Sequence, residues 1–168
     1  MASPPKTTPA DQAKPAALTS GSVSRQVNKL TGVQVLATGR AAPERVVHND
    51  ELAEHGYDAD WIVQRTGIQS RHCAGPEEAT SDMATRAALL CLEAAELDPM
   101  DVDLILVSTI TPDQPTPSTA CHVQRAIGSN APAMDISAAC AGFMYAMVTG
   151  MQFIHNGTYR HVLVIGAD

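Results

Sequence analysis

The segment Asp135–Tyr145, DISAACAGFMY, sets one cysteine among small residues where a short extended run gives way to a helical one. Cys140 follows PAMDI (132–136) and the link SAA (137–139), and it precedes an apolar stretch that reaches His155. A thiol so placed lies at the carboxyl end of a strand and the amino end of a helix. In open α/β sheets, ligands bind in the crevice outside the carboxyl ends of the strands. The first N–H groups of a helix have no internal partners, and the macrodipole leaves partial positive charge there. An anionic sulfur is therefore stabilised and made nucleophilic. Ala138, Ala139, Ala141 and Gly142 leave room for a carbonyl to approach the sulfur, and the same N–H groups can steady the oxyanion that its attack creates. Against this stands the common use of a free cysteine as a small buried hydrophobe. Spacing alone leaves both readings of Cys140 open. Cys91 and Cys121, inside helical stretches, read as core filler, and the adjacent pair His72–Cys73 makes a poor metal site.

The elements that must position Cys140 are legible from apolar periodicity. GVQVLATG (Gly32–Gly39) alternates, is β-branched and ends on glycine, which predicts a strand. TSDMATRAALLCLEAAEL (Thr80–Leu97) repeats apolar residues at Met83, Ala87, Leu90, Ala94 and Leu97, which predicts a helix with that face buried. Thr80 or Ser81 is suited to cap it, Asp82 to its positive end, and Pro99 to prevent its continuation. DLILVST (Asp103–Thr109) is an unbroken apolar run, as in a strand covered on both faces. A proline-rich loop, TPDQPTPS, leads to a predicted helix over Thr119–Ile127. Cys140–His155 is apolar on nearly every side, which predicts a helix buried all round, ended by Asn156-Gly157. HVLVIG (His161–Gly166) reads as another buried strand. Strands alternating with helices imply βαβ units and a parallel sheet.

Composition bounds the function classes. The 168 residues are 45% hydrophobic, 4% aromatic and carry a formal net charge of −7, which argues against nucleic acid as partner. No apolar run approaches the roughly 18 residues of a membrane span. The four cysteines lie far apart without a C-x-x-C pair, which favours free thiols in a reducing, cytoplasmic setting. Residues 1–29 are rich in Pro, Ala, Ser and Thr with almost no large apolar side chains. They read as a disordered leader ahead of a lobe spanning residues 30–168. A plastid or other organelle transit peptide is the alternative, weakened by the single arginine, Arg25. The chain stops directly after a buried strand, which reads as an N-terminal fragment of a longer protein.

Three stretches resemble the β-ketoacyl-acyl-carrier-protein synthase III family of thiolase-fold condensing enzymes. They are DWIVQRTGIQSRH (Asp60–His72), PSTACHVQRAIG (Pro117–Gly128), and DISAACAGFMYA followed by VLVIGAD. The resemblance covers about Gly32–Asp168 and implies the first lobe of an α/β thiolase-like fold, incomplete, with a parallel-rich mixed sheet and a buried central helix. It implies that Cys140 takes an acyl group from acyl-CoA. The acyl-enzyme is then attacked by the carbanion that malonyl-acyl-carrier-protein forms on losing carbon dioxide. It implies that Trp61 stacks on the adenine of coenzyme A and that Arg65 helps hold the nucleotide, roles that suit an indole and a guanidinium. An ordinary half-buried anchor is the other reading of Trp61. At the position of Thr116, family members with a narrow pocket place an aromatic that closes the far end of the partner subunit's acyl site. Threonine there implies room for longer or branched chains, unless Thr116 is simply a loop residue between prolines. A homodimer is implied, and no resident cofactor.

The family also uses a histidine and an asparagine from its second half, and a glycine-rich segment that returns to complete the first lobe. None of these can be placed here, and His48, His55, His122, His155 and His161 fall outside the matching motifs. Two rival readings stand beside a fatty acid synthase component: a condensing enzyme of specialised, polyketide-like metabolism, and a non-catalytic short paralogue that pairs with a complete subunit.

Overall fold

A computed structural model describes residues 31–168; the leader expected over 1–29 lies outside the described residues. Strand β3 (Leu104–Ser108) is central, flanked by β4 (Ala133–Ile136) and β5 (Val162–Gly166), and all three run parallel. The register pairs Ile105 with Ala133 and Leu104 with Val162. All five residues of β3 are buried, because its two faces pack on different layers. Ile105 and Val107 meet Ala84, Ala88 and Leu92 of α2 (Thr80–Ala95) and Val123 and Ile127 of α3 (Thr119–Ile127). Leu104 and Leu106 meet Ala146 of α4 (Gly142–His155). The continuous apolar run is thus the middle of a helix–sheet–helix sandwich, and α3 occupies the predicted residues.

The closeness of the layers explains several glycines. A Cβ on Gly150 would lie 2.9 Å from Val162 Cγ1, so α4 rides on β5 at a distance only glycine permits. Gly157, at φ 72°, closes the turn after α4.

Several expectations need correction. Gly32–Gly39 forms no strand: a strand needs a ladder partner for its backbone groups, and this segment instead lies against α2. There Gly39 abuts the backbone of Ala87 and Cys91, and the Cys91 thiol donates to the Ala37 carbonyl at 3.6 Å. A cleft of about 690 Å³ lies between the segment and β5, whose outer edge is unpaired among the described residues. The buried face of α2 is Thr80, Ser81, Ala84, Ala88 and Leu92, turned by about one residue from the predicted Met83–Leu90 face, and Leu90 is exposed. Alanines face the sheet because they let the helix approach closely. Neither Thr80 nor Ser81 is its cap. Ala79 stands there, its N–H donating to the Asp82 carboxylate at 2.9 Å, and the helix already ends at Glu96 in a left-handed conformation (φ 55°) before Pro99.

The helix after Cys140 is not buried all round, and it does not include Cys140. Its buried stripe is Gly142, Ala146 and Gly150, while Phe143, Met144, Tyr145 and Val148 are exposed. β5 is not buried throughout either: Leu163 and Ile165 enter the core with α2 and α3, while Val162 and Val164, on the α4 face, are only partly covered.

A second unit went unread in the sequence. Strand β1 (Arg45–His48) pairs antiparallel with β2 (Ser70–Cys73), and between them run a 3₁₀ helix, Asn49–His55, and α1 (Ala59–Thr66). Buried Asn49 is its hub. Asn49 Nδ2 donates to the Ile68 carbonyl at 2.8 Å, its Oδ1 accepts from Arg71 Nη2 at 2.5 Å, and its N–H donates to the Gln69 carbonyl at 3.2 Å. The ribbon and α1 pack chiefly on this 3₁₀ segment rather than on the three-stranded sheet.

Candidate active site

Cys140 sits in a 3₁₀ turn, Ala139–Ala141, between β4 and α4, and it is exposed. The chain bends sharply to present it. Ala139 is left-handed (φ 45°), a conformation that costs an L-residue roughly 1 kcal/mol or more and persists where the surroundings hold it. Those surroundings are well defined. The Thr109 N–H donates to the Ile136 carbonyl at 3.3 Å, and the Ala141 N–H to the Ala138 carbonyl at 3.2 Å. The Asp135 carboxylate accepts from the Thr119 and Ala120 N–H groups, each at 2.8 Å, tying the end of β4 to the start of α3. At Gly142 the first turn of α4 presses on Ser108 so closely that a Cβ would overlap the serine hydroxyl. The start of α4, and with it Cys140, is therefore seated directly on the end of β3.

Trp61 and Arg65 are brought together on α1. The Asp58 carboxylate accepts from the Trp61 N–H at 2.7 Å and caps the helix, and Gly67 in the left-handed region ends it. One turn along, the Arg65 guanidinium carbon lies 5.5 Å from the indole centroid. Such an exposed cation–π contact contributes roughly 0.5–1 kcal/mol. Trp61 is 52% exposed, which fits both a ligand-contacting ring and a half-buried anchor.

Thr116 is exposed in the loop joining β3 to α3, before a cis peptide bond to Pro117, and its hydroxyl donates to the Pro115 carbonyl at 2.8 Å. The loop leaves the carboxyl end of β3, beside the strand end that precedes Cys140. Thr116 and Cys140 thus belong to one edge of the sheet, while Trp61 and Arg65 belong to the separate ribbon unit.

Cys91, His72, His155 and His161 have partners outside this junction. Burial pushes the Cys91 thiol up from its ordinary value. The His155 ring lies at the far end of α4, on the order of 20 Å from Cys140 at 1.5 Å per residue, and contacts the Thr31 carbonyl at 3.1 Å. His161 meets the Asp101 carbonyl at 2.9 Å at the amino edge of the sheet. His72 is held by the Pro43 carbonyl at 2.5 Å. Among the described residues no three His, Cys, Asp or Glu side chains gather as a metal site would. The positioning roles of Asp135, Ser108 and Gly142 were missed in the sequence. Asp135 does stand within the cysteine motif, and its place at a strand end facing a helix start was the available signal.

The family model for 3-oxoacyl-[acyl-carrier-protein (ACP)] synthase III matches residues 134–168, the stretch that contains Cys140. A β-ketoacyl-[acyl-carrier-protein] synthase III of Rhodopirellula baltica is 61% identical over 142 residues, covering 84% of this chain and 41% of that protein. The corresponding protein of Geobacillus kaustophilus is 50% identical over 139 residues, covering 82% and 45%. The crystal structure of 3-oxoacyl-[acyl-carrier-protein] synthase III from Aquifex aeolicus superposes with a TM-score of 0.77 at 42% identity, over 80% of this chain and 44% of that one. The chain thus spans less than half the length of the curated relatives it matches. In sequence and in its thiolase-like fold, the chain matches the N-terminal part of the β-ketoacyl-acyl-carrier-protein synthase III family.

Proposed function

We propose that this chain carries the acyl-accepting half of a β-ketoacyl-acyl-carrier-protein synthase III, an acyltransferase that initiates fatty acid synthesis. The observation that carries the reading is Cys140: exposed, held at a strand–helix junction by a left-handed Ala139, and inside the segment that the family model matches. In the first step the Cys140 thiolate attacks the carbonyl carbon of an acyl-CoA. The carbon–sulfur bond to coenzyme A breaks, and coenzyme A leaves as a thiolate that takes up a proton. The N–H groups around the first turn of α4 are suited to the oxyanion of the tetrahedral intermediate. Dividing the condensation through an enzyme thioester replaces one difficult step by two easier ones.

In the second step malonyl-acyl-carrier-protein loses carbon dioxide. The resulting carbanion attacks the thioester carbon, and Cys140 is released as the new carbon–carbon bond forms. The histidine and asparagine that assist this step in the family are assigned to no residue here. Trp61 stacks on the adenine, Arg65 serves the nucleotide phosphates, and Thr116 stands at the far end of an acyl pocket shared across a homodimer. Coenzyme A enters as substrate, the thiol carries the chemistry without a resident cofactor, and the setting is cytoplasmic. No described helix is long and apolar enough to cross a membrane. The relatives reported above bear the name β-ketoacyl-[acyl-carrier-protein] synthase III, which supports this reading over the polyketide-like alternative.

Exchange of labelled coenzyme A into acyl-CoA tests the first step in isolation. The proposal predicts exchange by the wild-type chain and none by Cys140→Ala. Exchange that survives in Cys140→Ala would remove the cysteine from the reaction.

A further inference from the structure

The loop that carries Thr116 is pinned by hydrogen bonds almost to its tip. At its start the Asp168 carboxylate accepts from the Ile110 N–H at 2.7 Å and from the Thr109 hydroxyl at 3.2 Å. One residue on, the Thr80 hydroxyl donates to the Thr111 carbonyl at 2.6 Å. Asp113 then makes the last and most elaborate attachment. Its carboxylate accepts from the Ser81 N–H at 2.9 Å and from the Ser81 hydroxyl at 2.5 Å, binding the first turn of α2. Its own N–H donates to the Thr119 hydroxyl at 3.2 Å. Thr119 is fully buried, and its N–H donates to Asp135, so the attachment continues to the end of β4 just ahead of Cys140. Beyond Asp113 the chain is exposed through Pro117. Within that tip, Thr116 bonds only to the neighbouring Pro115 carbonyl, and Gln114 reaches His122 at 3.4 Å.

We infer that Asp113, through Ser81 and Thr119, is a positioning residue that sets where Thr116 stands and so governs acyl-chain selectivity in the site that Thr116 closes across the homodimer. The inference rests on the reading of Thr116 as the end of the acyl pocket. The exposed tip runs between two attachments, the Ser118 cap and buried Thr119 on one side and Asp113 on the other, and only Asp113 ties it to α2. A carboxylate that accepts two bonds from one serine fixes both position and orientation, because charge-assisted bonds of this length are the strong ones. Thr116 lies three residues from Asp113, so loss of the Asp113 carboxylate frees the near side of the tip, while the bonds of Asp135 to Thr119 and Ala120 and the Gly142–Ser108 contact, which use no Asp113 side-chain atom, remain. Selectivity, rather than the reaction itself, is what Asp113 protects.

The experiment compares the full chain with Asp113→Ala, Asp113→Asn, Ser81→Ala and Thr116→Phe, following acylation of Cys140 by acetyl-, hexanoyl- and dodecanoyl-CoA at several concentrations. Retained denaturation midpoints identify variants that are folded. The expected result for Asp113→Ala is at least a threefold change in the ratio of long-chain to acetyl acylation efficiency, expressed mainly in the concentration dependence for the long chains. Ser81→Ala, which removes one of the two bonds, should give a smaller change in the same direction, and Asp113→Asn should recover part of the wild-type profile. If Thr116→Phe shifts the profile and folded Asp113→Ala does not, the positioning role is wrong while the pocket reading stands. If Thr116→Phe also leaves the profile as it was, the pocket reading itself is wrong. A uniform loss with all three acyl groups in Asp113→Ala and Ser81→Ala would reduce Asp113 to a purely structural cap and overturn the inference. Failure of Asp113→Ala to fold transfers the decision to Ser81→Ala, for which an unchanged ratio is likewise a refutation.

Discussion

Replacing Gly142 by alanine isolates the contact that seats Cys140. Gly142 has helical dihedrals (φ −57°, ψ −46°), so by propensity alone alanine should stabilise α4 by about 0.5–1 kcal/mol. The added methyl, however, overlaps the Ser108 hydroxyl, whereas the Ser108 Cβ would be at 3.5 Å, an ordinary contact. Ser108 is buried at the end of β3, so either its hydroxyl or the helix start must move, and overpacking of this kind costs roughly 1–3 kcal/mol. The overlap outweighs the propensity, and Gly142→Ala should lose about 1–2 kcal/mol. Ser108→Ala removes the obstructing atom. The double variant should therefore recover the loss, with a coupling of about 2 kcal/mol in a double-mutant cycle, inside the range seen for residues in contact. The functional effect should be larger. Relieving the overlap by moving the helix start about 1 Å shifts the thiol two residues upstream, and a misplacement of that size can cost about 100-fold in rate. Denaturant titration of the four proteins gives the coupling, and the rate of Cys140 acylation followed by intact mass gives the second quantity. An additive cycle, or wild-type acylation by Gly142→Ala, would refute the claim that this contact sets the position of Cys140.

Substoichiometric iodoacetamide should label Cys140 first and Cys91 last, because Cys140 is exposed while burial raises the Cys91 thiol; peptide mapping that finds Cys91 ahead of Cys140 would contradict the site. Trp61 is the only tryptophan, so its fluorescence should report coenzyme A directly, and Trp61→Ala should raise the acyl-CoA concentration needed for half-maximal acylation while the saturated rate holds; an unaltered saturation curve would remove Trp61 from the binding site. The His161 and then Arg160 N–H groups hold the Asp103 carboxyl below its ordinary value. Its stabilising contribution is therefore present above the unfolded value of about 3.9 and lost as pH falls through the folded value. Asp103→Asn should be less stable than wild type at neutral pH, with the difference closing as pH falls through the lowered folded value; a gap independent of pH would show that the charge is irrelevant.

Where one physical signal decided an element, the sequence displayed it. Leu104–Val107 is apolar at every position because both faces of β3 are covered. Elements whose form depends on distant partners were misread. Val33 to Thr38 alternates as a strand does, but a strand exists only with a ladder partner, and the cleft beside β5 leaves it without one. The face of α2 followed the larger side chains in the sequence, whereas the structure buries its alanines because closeness of approach decided the packing. Small neighbours and a place between strand and helix singled out Cys140 as a candidate, and the resemblance gave it the acyl-accepting role. Its supports were not found, because the bonds of Asp135 to Thr119 and of Asp113 to Ser81 join residues 16 and 32 positions apart, and no local pattern records such pairings. The ribbon unit escaped because its strands are four residues long and its register hangs on the buried amide of Asn49.

The central claim is that Cys140 accepts an acyl group, and the intact mass of the chain after incubation with acyl-CoA tests it most directly. The account predicts an increment of one acyl group, released by neutral hydroxylamine as a thioester should be and mapped to the peptide that contains Cys140. Cys140→Ala should show no increment. An unmodified wild-type chain, or an increment that persists in Cys140→Ala, would contradict the account.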